Sequence, residues 1–230
     1  MLLGCGPAVV GRTPRGAEIV KIPLQLSNAY LVKTDTPVLI DTGTIGDEHD
    51  LNAALADQGL SMRRIALVVV THVHADHAGL AAALQSFGAR VIVGLGDAER
   101  AGRGVNDELL PTSFTASLIK PLIRSVFPEL YPDVAVAQGE PFDLAPWGID
   151  GKVIAMPGHT AGSLAVVMAN HTAFVGDMMR GGPAEHYFHA DREGNRRNIE
   201  ALCAAGVETF YLGHGGPESR ADVMRAFGIR

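Results

Sequence analysis

Cysteine is nearly missing from this chain of 230 residues, which has only Cys5 and Cys203. Two thiols so far apart build no disulfide framework. Cys203, inside the helical pattern NIEALCAAG, reads as a small core residue. Long apolar runs are missing too, and none approaches the roughly 20 residues that span a bilayer. There is no basic stripe: the formal net charge is −6 and no block of like charge exceeds two or three residues. That pattern argues against a nucleic-acid partner or a membrane surface. The opening MLLGCG contains LLGC, spelled like a lipoprotein cleavage box, but it lacks the basic n-region and the apolar h-region of a signal. A cytoplasmic protein is expected. An exported lipoprotein is the alternative if a longer signal precedes Leu2–Cys5.

What is present is an ordinary globular composition, 47% hydrophobic and 19% charged. It can bury a substantial core. The length suits one large domain or two small ones, and residues 1–230 are read as one. Strand patterns occur at 18–22, 28–33, 38–40, 65–70, 90–93, 152–155, 163–169, 172–175 and 209–212. Helical patterns occur at 47–59, 78–87, 195–205 and 219–227, the first two closed by a glycine at or just after the end. Between 97 and 138, glycines and prolines punctuate the chain, with amphipathic stretches across 113–127. That length is read as a helical insertion, a candidate cap over a site. Strands come both in hairpins and alternating with helices, which points to mixed sheets covered by helices.

The polar residues that follow the strands carry the chemistry. After 65–70 come His72, His74, Asp76 and His77, in VVVTHVHADHAG. After 152–156 comes His159, in PGHT. After 172–176 comes Asp177, and after 209–213 comes His214. His72 and His74, two apart in an extended segment, point the same way. Asp76 and His77 fall where the chain turns into a helix and project differently. Five histidines and two aspartates, with no thiolate, suit zinc. They are too many for one tetrahedral ion and suit two ions sharing a carboxylate. His49 and His171 read as surface residues. His186 and His189, in AEHYFHAD, and Arg180, three residues after Asp177, are candidate substrate contacts; Arg180 suits an anionic group.

THVHADH resembles the HxHxDH signature of the metallo-β-lactamase-fold superfamily. PGHTAGS, FVGD and LGHGG resemble its remaining metal motifs in the right order, and IDTG at 40–43 resembles its early Asp-Thr-Gly element. The resemblance implies an α/β fold, a four-layer αββα sandwich with mixed sheets and metals at one edge. It assigns His72, His74 and His159 to one metal and Asp76, His77 and His214 to a second. Asp177 bridges them, and Asp41 orients ligands without binding metal. Two zinc ions would give a metal-bound hydroxide able to attack an ester, thioester, lactone or amide, with Asp76 a candidate to accept a proton.

Within the superfamily, the sequence sits nearest the glyoxalase II-like and lactonase-like branch, which has the bridging aspartate. β-Lactamases of this fold generally lack that residue. Lactonases often place a tyrosine shortly after it, where this chain has Met178-Met179-Arg180. Glyoxalase II enzymes carry a C-terminal helical domain that is not expected in the short stretch after His214. The alternative reading is a mononuclear iron persulfide dioxygenase. A phosphodiesterase would need a basic surface, and a non-catalytic metal-binding module would be expected to have lost ligands. The partner expected is a small-molecule substrate, with no nucleic acid and no membrane span. Oligomeric state is not written in these motifs.

Overall fold

The computed structural model describes residues 6–230; the LLGC motif lies outside them. Two mixed sheets form its centre. The first has seven strands in chain order: β1 (Ala8–Arg12), β2 (Glu18–Pro23), β3 (Asn28–Val32), β4 (Val38–Ile40), β5 (Leu67–Val69), β6 (Arg90–Gly94) and β7 (Val134–Val136). Neighbours from β1 to β4 are antiparallel, and from β4 to β7 parallel. The second has six: β8 (Phe142–Asp143), β9 (Gly151–Ala155), β10 (Leu164–Met168), β11 (Thr172–Gly176), β12 (Thr209–Leu212) and β13 (Glu218–Ser219). All its neighbours are antiparallel except the parallel pair β11 and β12.

A parallel pair needs a long crossover, which usually carries a helix. Here α1 (Glu48–Asp57) joins β4 to β5, and α2 (Ala81–Ser86) joins β5 to β6. The short helices α3 (Ala98–Arg103) and α4 (Phe114–Ile119) lie between β6 and β7. On the other side, α5 (Arg192–Ala204) joins β11 to β12, and α6 (Arg220–Phe227) ends the chain.

Side-chain alternation sorts these elements into four layers. Leu67 and Val69 of β5 face the second sheet and pack with Ile19, Tyr30, Ile40, Val166, Phe174 and Tyr211. Val68 and Val70 point the opposite way and pack with Leu51, Leu55, Ala81 and Leu84 under α1 and α2. Both faces of β5 are therefore dry, which is why its sequence is an unbroken apolar run. Ile199, Leu202, Cys203 and Val223 cover the outer face of the second sheet. The αββα sandwich expected from the motifs is the fold observed. Each large aliphatic side chain in these layers contributes about 1.5–3 kcal/mol by leaving water.

Four strands escape the sequence patterns: β1, β7, β8 and β13. β1 is an edge strand, partly exposed and interrupted by a register shift between Val9 and Gly11. β8 and β13 have two residues each. β7 lies inside the stretch read as a helical insertion. The stretch 97–138 ends in a strand of the first sheet, and only its earlier part carries helix. Three residues hemmed by Pro132 and Gly139 are too few to show a period. Among the described residues no helix is long and apolar enough to cross a membrane.

Candidate metal centre

The loop Thr71–Gly79 leaves the buried end of β5, and the loops after β9, β11 and β12 open beside it. His72, His74, His77, His159 and Asp177 are all buried, while Asp76 and His214 are half-buried. His72, His74 and His159 gather one possible ligand atom each into a group within 4.8 Å. Asp76, His77 and His214 gather a second within the same limit. Asp177 lies between them. Its Oδ2 is 3.7 Å from Nε2 of both His72 and His159 and 3.2 Å from His214 Nε2, and its Oδ1 is 3.5 Å from His77 Nε2. All seven residues singled out by their motifs thus converge at one edge of the sandwich.

The outer nitrogen of each ring explains which nitrogen faces inward. His77 Nδ1–H donates to Asp41 Oδ2 at 2.9 Å. Thr71 also gives its hydroxyl to Asp41 Oδ2, at 2.8 Å, leaving its oxygen to accept from His72 Nδ1–H at 3.1 Å. His74 Nε2–H donates to Asp107 Oδ1 at 2.7 Å. His159 Nδ1–H donates to the Phe188 carbonyl and His214 Nδ1–H to that of Leu26, each at 2.8 Å. With the proton held outside, every inner nitrogen presents a lone pair, the arrangement by which outer partners fix metal-binding histidines. Two such nitrogens, His159 Nε2 and His74 Nδ1, are only 3.3 Å apart. His72 Nε2, His77 Nε2 and Asp177 Oδ1 are buried with no hydrogen-bond partner. Buried acceptors aimed at one another are costly unless a cation lies among them. The donor set therefore fits metal ions.

The electrostatics agree. Burial and the neighbouring histidines push the pKa of His72 and His159 well below the ordinary value. At His77 burial opposes a charge, but Asp177, Asp76 and Asp41 outweigh it and hold the pKa well above normal. At His214 burial again opposes, and Asp177 and Asp76 raise the pKa to about 10. Asp177 is buried, yet the rings of His214, His186 and His77 keep its carboxyl well below its usual range. The pocket is a field that demands positive charge, and without metal it holds protons instead.

Three contributors were not picked out from the sequence. Asp97, almost fully buried, accepts from Val73 N and Thr160 Oγ1 with Oδ2, at 3.1 and 2.7 Å, and from Gly162 N with Oδ1 at 2.9 Å. It ties the His72–His77 loop to the His159 loop. Its position just past the end of β6 was the available signal, since the same strand-end rule found the other groups. Asn106 accepts from Ala75 N at 2.9 Å, and its neighbour Asp107 holds His74. Both lie in the stretch read as an insertion, where no motif marks them.

The remaining candidates divide. His186 lies at the centre, with Nε2 3.2 Å from Asp177 Oδ2. His189 is buried with its ring 5.5 Å from that of His159 and neither nitrogen partnered. Arg180 turns onto its own loop, donating to the Glu185 carbonyl at 3.2 Å with its guanidinium 4.9 Å over the Tyr187 ring. His49 and His171 are exposed.

A sequence model described as the Metallo-beta-lactamase superfamily matches residues 22–214. A hydroxyacylglutathione hydrolase of Acidiphilium cryptum is 29% identical over 92% of this chain and 74% of its own length. Another, of Cereibacter sphaeroides, is 27% identical over 86% of this chain and 66% of its own, slightly under two thirds. Among solved structures, a subclass B3 metallo-beta-lactamase of Bradyrhizobium japonicum superposes with a TM-score of 0.68 at 18% identity, covering 93% of this chain and 88% of its own; that likeness is one of fold. Fold, ordered motifs and family match agree: the chain belongs to the metallo-beta-lactamase superfamily and is a metal-dependent hydrolase.

Proposed function

We propose that the chain is a dinuclear zinc hydrolase acting on a small acyl thioester of the hydroxyacylglutathione kind. The observation that carries the dinuclear reading is the Asp177 carboxylate, which lies between two separate triads of donors. In this reading His72, His74 and His159 hold one ion, Asp76, His77 and His214 hold the other, and Asp177 is shared. Asp41 orients His77 directly and His72 through Thr71. An all-nitrogen and oxygen donor set suits zinc. The thioester is supported by the names of the two relatives above.

When bound, such ions supply Lewis acidity and lower the pKa of water to about 7. The chain's own residues place the reactants. Asp76, half-buried at the pocket, is the carboxylate positioned to take a proton from the attacking water. Water adds to the acyl carbon, the C–S bond breaks, and the sulfur leaves with a proton as a thiol. The segment 97–138 flanks this pocket. Thr112 N donates to the Tyr187 carbonyl at 2.9 Å, and Leu109 and Ala116 pack on Phe188.

The test combines metal analysis with a substrate panel of a hydroxyacylglutathione, a lactone, a β-lactam and glutathione persulfide. Two zinc ions per chain with fastest thioester turnover is the expected result. One iron with oxygen consumption on the persulfide would replace it with a dioxygenase. Asp76→Ala is expected to abolish turnover and leave the circular dichroism spectrum unchanged; wild-type rate in that variant would remove Asp76 from the mechanism.

A further inference from the structure

His186 is the one ring at the centre whose outer nitrogen accepts a hydrogen bond. The other five each donate outward, to a carboxylate, a hydroxyl or a backbone carbonyl. At His186 the backbone N–H of Phe188 points at Nδ1, 3.4 Å away. A ring nitrogen that accepts carries no proton, so the neutral ring keeps its proton on Nε2. That is the nitrogen facing the pocket, 3.2 Å from Asp177 Oδ2. By distance alone His186 would join His159 and Asp177 as a further metal group. The tautomer separates it from them, because an N–H is a donor and not a ligand.

The ring is held where it is. Its plane stacks on His214 at 5.5 Å and 26°, and its edge meets His159 at 4.8 Å and 88°. The side chain is 10% exposed. The segment that carries it is fixed from outside: Thr112 Oγ1 donates to the His186 carbonyl at 2.8 Å, and His189 N donates to the Leu110 carbonyl at 3.2 Å.

We propose that His186 is a catalytic hydrogen-bond donor: its Nε2–H meets the acyl oxygen as negative charge grows there, and it binds no metal. This deepens the thioester reading above and rests on it. A fixed, buried N–H needs no reorganisation when charge appears on the oxygen, which is why such donors favour the transition state over the bound substrate. The effect should fall on kcat more than on KM. Glutamine at 186 can offer an amide N–H from a similar distance, whereas phenylalanine fills the space and offers none.

Three measurements on the full chain test this. Metal content of His186→Phe should equal that of the parent, while its kcat on the thioester falls by about 10²-fold with KM changed far less. His186→Gln should recover most of that loss. In the zinc-loaded parent, long-range ¹H–¹⁵N spectra of the imidazoles should give Nε2–H for His186, and Nδ1–H for His72, His77, His159 and His214. Loss of metal from His186→Phe, or an Nδ1–H tautomer at His186, would overturn the proposal. If the parent cleaves no thioester at all, the functional reading falls. The metal content and the tautomer would still say whether His186 is a donor or a ligand.

Discussion

At Asp41 the backbone sits at φ 58°, in the left-handed region that a non-glycine side chain rarely adopts. Holding it there costs about 1–3 kcal/mol. The carboxylate offsets this by accepting from Thr71 N at 2.7 Å, from the Thr71 hydroxyl and from His77 Nδ1. An asparagine in its place would keep the shape but set an amide N–H₂ against donors. Asp41→Asn is expected to weaken metal binding about 10–100-fold, read by competition with a chelator, with secondary structure retained. Unchanged affinity would mean that His77 is oriented by something else. Gly213 is the second sensitive position. A Cβ there would lie 2.2 Å from Asp177 Oδ1 and 2.6 Å from His77 Cε1. Gly213→Ala should therefore displace the Asp177 carboxylate and lower metal stoichiometry. Gly102→Ala is the control. Its Cβ meets nothing closer than 3.6 Å, from the exposed Tyr131 ring, and alanine in a helix adds up to about 1 kcal/mol of stability.

At the scale of elements, the centre is a set of loops clamped from behind. Lys21, Asn28 and Tyr30 of the first sheet reach across to carbonyls at the end of β12 and in the His214 loop that follows it: Lys21 Nζ to Gly215 at 2.8 Å, Asn28 Nδ2 to Leu212 at 3.0 Å, Tyr30 OH to Leu212 at 2.7 Å. Asp97 does the same for the two loops on the other flank. Asp97→Ala leaves Val73 N, Thr160 Oγ1 and Gly162 N without their acceptor, and charge-assisted bonds of this kind are worth about 1.5–3 kcal/mol each. A lower melting temperature and weaker metal binding together are expected. A fall in stability with metal affinity untouched would confine Asp97 to the fold. These clamps also mark the limit of what the sequence discloses. The strands at 65–70 and 172–175 were legible because both faces are buried and the apolar run is unbroken. The seven donors were legible because each follows a strand pattern within a few residues. Asp107 and Asn106 were not, since they act across the fold on His74 and Ala75, and no periodicity encodes a partner about thirty residues away. β7 was lost for the complementary reason: its three residues pair with β6 only in space.

For the whole molecule, the protons that occupy the pocket in place of metal couple folding to pH. In the metal-free chain His214 has a pKa of about 10, against about 6.5 for an unfolded histidine. A raised folded-state value favours the native chain while the proton is bound. That contribution is complete below about pH 6.5 and drains away as pH rises through about 10. His77 is shifted in the same direction. His72 and His159 are shifted the opposite way, so their contribution is present above about pH 6.5 and is lost as pH falls. Chelator-treated protein should therefore show its highest melting temperature near pH 6.5 and lose stability toward pH 10. With metal in place of the second proton on each ring, as proposed above, His77 and His214 are neutral and keep only Nδ1–H, so metal-loaded protein should hold its melting temperature over the alkaline half of that range. The same linkage predicts that adding metal near neutral pH expels about two protons per chain, measurable in a weakly buffered titration. A metal-free chain that gains stability between pH 7 and 10, or metal uptake without proton release, would show that the carboxylates of Asp76 and Asp177 do not set the charge of this pocket.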